Sequence, residues 1–454
     1  MDLPFRGEKK PPVSTMDTSQ HIRLLVLGQP AEPEVVRLAA ESGHPLDERE
    51  VREPVRSLYI HVPFCSHKCH YCDFYSFVDT RDQQGAFVER LIEELELLAP
   101  HAAGAPLRTI FVGGGTPSLL EAGLWERVLE RLGALFDLSW MGGARHGEEV
   151  ARGEFTVECN PESATGELMR VLEAGGVNRV SVGAQSFEAR HLKTLERTHN
   201  PENVPRAMEA ARGAGIGRVS VDLIFGVPGQ TLEEWERDVE RALALGTTHV
   251  SCYALTYEAN TPMTARMKRG EFAAMDEDVE TAMFERTVEM MRGAGLARYE
   301  VSNFARAGHE SAHNLAYWRQ EQWLAAGPSA SGHAWAGMSL GSGRGSWRWK
   351  NVGRLGDYLA KRGRSPVTDV ERPDAARLVR ERIMTGLRIA EGLDGAAVMG
   401  DAEVAAPGAG AKVEAGVKRF EEEGLMAAKE GRWVLTDAGF LLADYVAAEL
   451  MGRV

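Results

Sequence analysis

The sequence predicts a parallel α/β fold, wound flat or closed as a full or partial barrel, followed by a small helical domain with a β-wing. Two observations carry this. Between residues 57 and 254, short apolar runs alternate with amphipathic segments of helix length, the pattern of strand–helix repeats around a parallel sheet. The turns with unusual residue combinations fall at the carboxyl ends of the apolar runs, where parallel α/β folds bind ligands.

Residues 1–54 are rich in Pro, Glu and Arg, with one short apolar stretch, Ile22–Leu27, and read as a weakly structured extension. The runs Ser57–Val62, Arg108–Val112, Glu154–Cys159, Asn178–Val182, Arg218–Phe225 and His249–Ala254 read as buried parallel strands. Between them Gly85–Leu98, Gly123–Phe136, Thr165–Ala174, Pro201–Gly213 and Thr231–Leu245 read as covering helices. Six strands rather than eight point to an incomplete barrel. Residues 335–372 are Gly-, Arg- and Trp-rich (GSGRGSWRWKNVGR) and read as a surface loop and linker. Beyond Pro373 the pattern is helical over Ala375–Ile389 and near Val413–Glu423. A hairpin-like pair follows around Leu425–Ala428 and Arg432–Leu435, then a helix from the N-cap Thr436 to Leu450. The predicted organisation is an extension (1–54), a core (55–334), a linker (335–372) and an accessory domain (373–454).

The 454 residues are 44% hydrophobic and 26% charged, values of an ordinary globular protein. Lys and Arg number 52 against 66 Asp and Glu, a formal net charge of −14, which argues against a nucleic-acid partner. No run of about 18 apolar residues marks a spanning helix, and the opening MDLPFRGEKKPPVS has no apolar signal core. The expectation is a cytoplasmic protein. Five cysteines, two of them (Cys159 and Cys252) inside apolar strands, do not make a disulfide scaffold.

Three cysteines share one loop. Cys65, Cys69 and Cys72 stand in HVPFCSHKCHYCDF, a CxxxCxxC directly after the first strand. Three thiolates can hold three irons of a cubane cluster and leave the fourth iron open to a small molecule. His67 and His70 lie in the same loop, so a Cys3His zinc site in an α/β binding domain without radical chemistry is the competing reading. Tyr71, between the second and third cysteines, is placed to shield a cluster or pack on a cofactor. A second motif, Gly113-Gly-Gly-Thr-Pro-Ser118, follows the second strand, and glycines there let backbone N–H groups approach a ligand.

The CxxxCxxC loop with its aromatic resembles the radical S-adenosylmethionine superfamily. The stretch YIHVPFCSHKCHYCDFYS resembles, within it, the oxygen-independent coproporphyrinogen III oxidases and the related haem chaperones, over roughly residues 57–450. The resemblance implies a partial (β/α)6 barrel with a small helical and winged C-terminal domain. It implies a [4Fe-4S] cluster on Cys65, Cys69 and Cys72, and S-adenosylmethionine held with its amino-acid end at Gly114, Gly115 and Thr116. It assigns Glu158, Gln185, Arg197, Asp222 and Tyr59 to the cofactor side as well, and reductive cleavage to a 5′-deoxyadenosyl radical as the chemistry. At Glu196 the family usually has Gly.

The oxidase branch typically carries a fourth cysteine two residues after the third, and here that residue is Phe74. The run His313-Asn-Leu-Ala-Tyr-Trp318 matches an HNxxYW pattern associated with haem binding, with His313 as an axial ligand and Tyr317 or Trp318 as a stacking face. His333 is a second ligand candidate. Both features favour a haem chaperone over radical decarboxylation of coproporphyrinogen III, although the long N-terminal region is more oxidase-like. The resemblance further implies haem, a haem-acceptor protein (soluble or membrane-associated) and a reductant such as flavodoxin or ferredoxin as partners. It leaves monomer and homodimer open.

Overall fold

The computed structural model describes residues 53–142, 153–339 and 343–454. Nearly all of the expected extension, residues 1–54, lies outside the described residues. Six strands form the centre: β1 (Ser57–Val62), β2 (Thr109–Gly114), β3 (Glu154–Cys159), β4 (Arg179–Gln185), β5 (Arg218–Phe225) and β6 (His249–Ala254). Each pairs in parallel with the next. Leu324–Ala326 adds a parallel edge beside β1, while Asn303–Ala305 and Ala297–Arg298 add antiparallel strands beyond β6. Among the described residues the outermost strands of this nine-stranded sheet do not pair with each other. The sheet stays open, the topology of a partial barrel.

Alternation along β1 shows why the strands sit as they do. Leu58, Ile60 and Val62 are at most 1% exposed and join the core under the outer helices, while Tyr59 and His61 point to the opposite face with Phe111 of β2. The helices bury matching stripes. Leu232–Ala244 starts at a capping box of Thr231 and Glu234, and its Trp235 is fully buried with the indole N–H on Thr287 Oγ1 at 2.8 Å.

Charged residues open the strands at the amino end of the sheet. Glu154, the first residue of β3, is 1% exposed and accepts from Ser311 Oγ (3.1 Å) and from the backbone N–H groups of Ala312 (3.0 Å) and His313 (3.2 Å). Arg218 of β5 pairs with it at 3.4 Å. Burial works against this carboxylate, yet Arg179, Arg218 and those N–H groups hold it below the usual range. Glu154 thereby fixes the helix Ala312–Trp318 across the end of the sheet.

Residues 335–372, expected as linker, carry most of a three-stranded antiparallel sheet of Ser331–Ser339, Gly343–Asn351 and Val367–Glu371. Trp347 and Trp349 are buried in it, so a composition that reads as loop is a strand with its aromatics inside. Glu94, on the helix Gln84–Leu98, ties this sheet to the core. Its carboxylate accepts from Gly327 N (2.9 Å), Asn351 Nδ2 (2.7 Å) and Tyr358 OH (2.6 Å).

A separate hydrophobic core joins the helices Ala375–Gly386, Gly395–Ala405, Ala409–Glu422 and Ala443–Met451. Leu393–Asp394, Arg432–Leu435 and Met426–Lys429 form its small sheet, in that order. The hairpin matches the sequence expectation. Among the described residues no helix is long and apolar enough to cross a membrane.

Candidate functional site

The carboxyl ends of β2 to β6 and the loop after β1 surround a cavity of about 440 Å³. Cys65, Cys69 and Cys72 line one side, each a free thiol. Their loop is anchored on both flanks. Phe64–Cys65 pairs in parallel with Phe77–Val78, and Lys68 Nζ donates to Ser76 Oγ at 2.9 Å and to the Phe74 carbonyl. His70 N donates to Leu195 O (3.4 Å), and His70 O accepts from Met263 N (2.9 Å). Among the described residues no three His, Cys, Asp or Glu side chains converge on a single ion.

The glycine turn forms the adjoining wall. Gly114 has φ +107°, and a Cβ there would lie 2.5–2.7 Å from the His61 ring. A Cβ on Gly115 would lie 2.6 Å from Phe64 O. Gly115 N and Thr116 N donate instead to Val62 O (2.8 Å) and Phe64 O (2.7 Å). Only residues without side chains fit between β1 and the cavity. Thr116 Oγ1 reaches Cys65 Sγ at 3.5 Å, joining the turn to the cysteine loop.

Arg197 bridges the next two walls: Nη1 lies 3.6 Å from Cys69 Sγ and Nη2 donates to Gly183 O at 2.9 Å. Its buried Nε has no hydrogen-bond partner. Gln185 ends β4 with φ +63°, after a register shift between Gly183 and Gln185 that turns it into the cavity. Glu196 also has a left-handed backbone, φ +53°, which explains why Gly suits this position and costs a non-glycine about 1 kcal/mol. Its carboxylate lies 3.9 Å from His67 Nε2, both side chains being about two-fifths exposed, so little is lost with the pair. Glu196→Gly should raise stability by about 0.5–1 kcal/mol, read from denaturant midpoints; a fall would show that the His67 contact outweighs the strain.

Glu158 and Asp222 face the cavity from β3 and β5. Burial, reinforced by Asp222, pushes the Glu158 carboxyl up to about 7 against the pull of the Gly114 N–H. Burial also raises Asp222, opposed by the hydroxyls of Ser251 and Ser181, the latter donating at 2.9–3.0 Å. Two desolvated carboxyls in one cavity favour a cationic ligand.

Of the residues assigned from sequence, Cys65, Cys69, Tyr71, Cys72, Gly114, Gly115, Thr116, Glu158, Gln185, Arg197 and Asp222 all line the cavity. Tyr59 stands behind it, its hydroxyl 3.1 Å from His61 Nδ1 and its ring stacked on Phe111. His313 does not line the cavity. It is fully buried, with Nδ1 2.8 Å from Thr109 Oγ1 and Nε2 2.9 Å from Tyr317 OH. Sequence reading missed Ser181 and the β6 wall of Tyr253, Ala254 and Leu255; the rule that ligands bind at strand carboxyl ends was signal enough for these.

Comparison with known proteins agrees with this layout. A family model described as radical SAM superfamily matches residues 59–242, and one described as HemN C-terminal domain matches residues 374–442. A protein named heme chaperone HemW from Mycobacterium tuberculosis is 36% identical over 402 residues, covering 87% of this chain and 94% of that protein. The Bacillus subtilis protein of the same name is 32% identical over 407 residues, covering 88% and 100%. Among solved structures, coproporphyrinogen III oxidase (HemN) from Escherichia coli superposes with a TM-score of 0.71 over 90% of this chain and 92% of that one; at 20% identity it attests the fold. The chain thus belongs to the radical S-adenosylmethionine superfamily and, within it, to the HemW family.

Proposed function

We propose that this chain is a haem chaperone, a protein that holds a [4Fe-4S] cluster and S-adenosylmethionine in the cavity, binds haem and passes it to an acceptor protein. The observation that carries this reading is the near full-length likeness to proteins named heme chaperone, at 36% identity over 94% of the M. tuberculosis protein. Phe74 supports it: where the oxidase branch has a fourth cysteine, this chain presents a 64% exposed aromatic at the cavity.

The donor set fits both cofactors. Three thiols on one anchored loop suit a cluster with one iron left for a ligand. The orphaned Arg197 Nε and the carboxyl pair Glu158 and Asp222 suit a ligand bearing a carboxylate and positive charge. Cys65, Cys69 and Cys72 are assigned to the cluster, and Gly114, Gly115 and Thr116 to the amino-acid end of S-adenosylmethionine. Glu158, Gln185, Arg197 and Asp222 orient the remainder, and Tyr71 shields the cluster from water. When bound, the cluster supplies one-electron reduction of S-adenosylmethionine, with the electron coming from a reductant of the flavodoxin or ferredoxin class. Residues 373–454 serve as an accessory domain that packs on the core.

The test gives one anaerobically reconstituted preparation haem and, separately, coproporphyrinogen III. Stable haem uptake without protoporphyrinogen formation is expected. Turnover of coproporphyrinogen without haem uptake would replace this reading with the oxidase.

A further inference from the structure

The three cysteines bind iron as thiolates, and each electron added to a cluster on them brings a further negative charge. The cavity opposes that addition. Asp73, Glu158, Asp222 and Glu258 line it against the single guanidinium of Arg197. Lys68, next to Cys69, is the one Lys or Arg between His61 and Ser76.

The Lys68 side chain crosses the cysteine loop. Its ammonium donates to the Phe74 carbonyl and to Ser76 Oγ at 2.9 Å, and both residues line the cavity with the cysteines. The backbone brings this charge round to the thiols. Cys72 N donates to Cys69 O at 3.3 Å, closing a turn, and Phe74 then returns beside Lys68. Both acceptors are neutral, so they hold the ammonium in place without cancelling its charge. An ammonium has three N–H donors and these contacts use two, which leaves one for a sulfur of the cluster. Local charge and hydrogen bonds to sulfur are two of the terms that set the potential of such a cluster.

We propose that Lys68 tunes the cluster: its ammonium stabilises the electron received from the reductant and so raises the reduction potential. This rests on the cluster reading above. Lys68 ligates no iron. It is a positioning residue that fixes a positive charge beside the three cysteines.

The test is a redox titration of the anaerobically reconstituted chain and its Lys68→Met, Lys68→Gln and Lys68→Arg variants, read by the electron paramagnetic resonance of the reduced cluster. Iron analysis and circular dichroism check cluster content and fold. At the midpoint potential of the intact chain, the ratio of reduced to oxidised cluster should fall about three- to tenfold in both neutral variants. For one electron that is a shift of about 30–60 mV to more negative potential. The shift should shrink as salt is raised, because the lysine is only half-buried. Lys68→Arg keeps the charge and should stay within about twofold of the intact chain. Lys68→Gln keeps an N–H donor for the loop where Lys68→Met has none, so one loaded neutral variant decides the matter. An unchanged potential in a neutral variant holding about four irons per chain overturns the assignment, as does Lys68→Arg shifted as far as Lys68→Met. Loss of the cluster from both neutral variants makes Lys68 a structural staple and overturns it too. In each case the cluster reading stands. No iron–sulfur cluster in the intact chain overturns both.

Discussion

Glu154→Ala should destabilise the fold by about 3–5 kcal/mol, the cost of breaking a buried ion pair from one side. The substitution strands Arg218, which pairs with Glu154 at 3.4 Å, and Arg179, 3% exposed on the next strand. It also removes the acceptor of Ser311 Oγ and of the Ala312 and His313 N–H groups. Each buried donor left unpaired adds about 1–3 kcal/mol of desolvation, so the pair is not the whole of the effect. Urea unfolding at neutral pH measures it, and a loss under about 1 kcal/mol would show that water reaches this end of the sheet. Because the Glu154 carboxyl is held below its unfolded value, its contribution is full above that unfolded value. It fades as pH falls through the lowered one.

Glu158 is expected to make S-adenosylmethionine binding pH-dependent. Its carboxyl, raised to about 7 by burial and by Asp222, is largely neutral at pH 6 and ionised at pH 8. Only the ionised form accepts charge-assisted hydrogen bonds and attracts a cationic ligand. Affinity should therefore rise between pH 6 and pH 8 by up to about tenfold per unit below the pKa, the limit for one titrating group. Glu158→Gln should flatten that rise and weaken binding at pH 8 by about 10–100-fold, the equivalent of one or two charge-assisted hydrogen bonds. For the cofactor-free fold the sign is opposite. The folded state holds this proton more tightly than the unfolded chain, so Glu158 costs stability as pH rises from about 4.5 to about 7. Equilibrium titration of the reconstituted protein at several pH values reads the first effect, and a flat profile in the unsubstituted chain would remove Glu158 from the binding site.

The six central strands are legible in the sequence because each is a short apolar run bounded by polar turns, and neighbours in sequence pair in space. The cysteine loop and glycine turn are legible for the same reason: their geometry is local to a strand end. The sheet within residues 331–371 is not, because its glycines and arginines read as loop until Trp347 and Trp349 meet a core supplied by other segments. The partners of His313 are illegible for a related cause. What fills its nitrogens is partly Thr109, 204 residues away in the chain, so the packing of β2 against the helix Ala312–Trp318 decides its chemistry. His333 is placed the same way: its Nδ1 meets the Glu321 carbonyl across a single bridge between Trp323 and His333, which no spacing rule encodes.

The most direct test of the central claim, an open iron facing a cavity built for S-adenosylmethionine, is the electron paramagnetic resonance spectrum of the reduced, reconstituted protein with and without that ligand. The expected result is about four irons per chain held by Cys65, Cys69 and Cys72 and a cluster signal that shifts on adding S-adenosylmethionine, with the shift lost in Arg197→Ala. A cluster signal indifferent to S-adenosylmethionine, or zinc in place of iron, would contradict it.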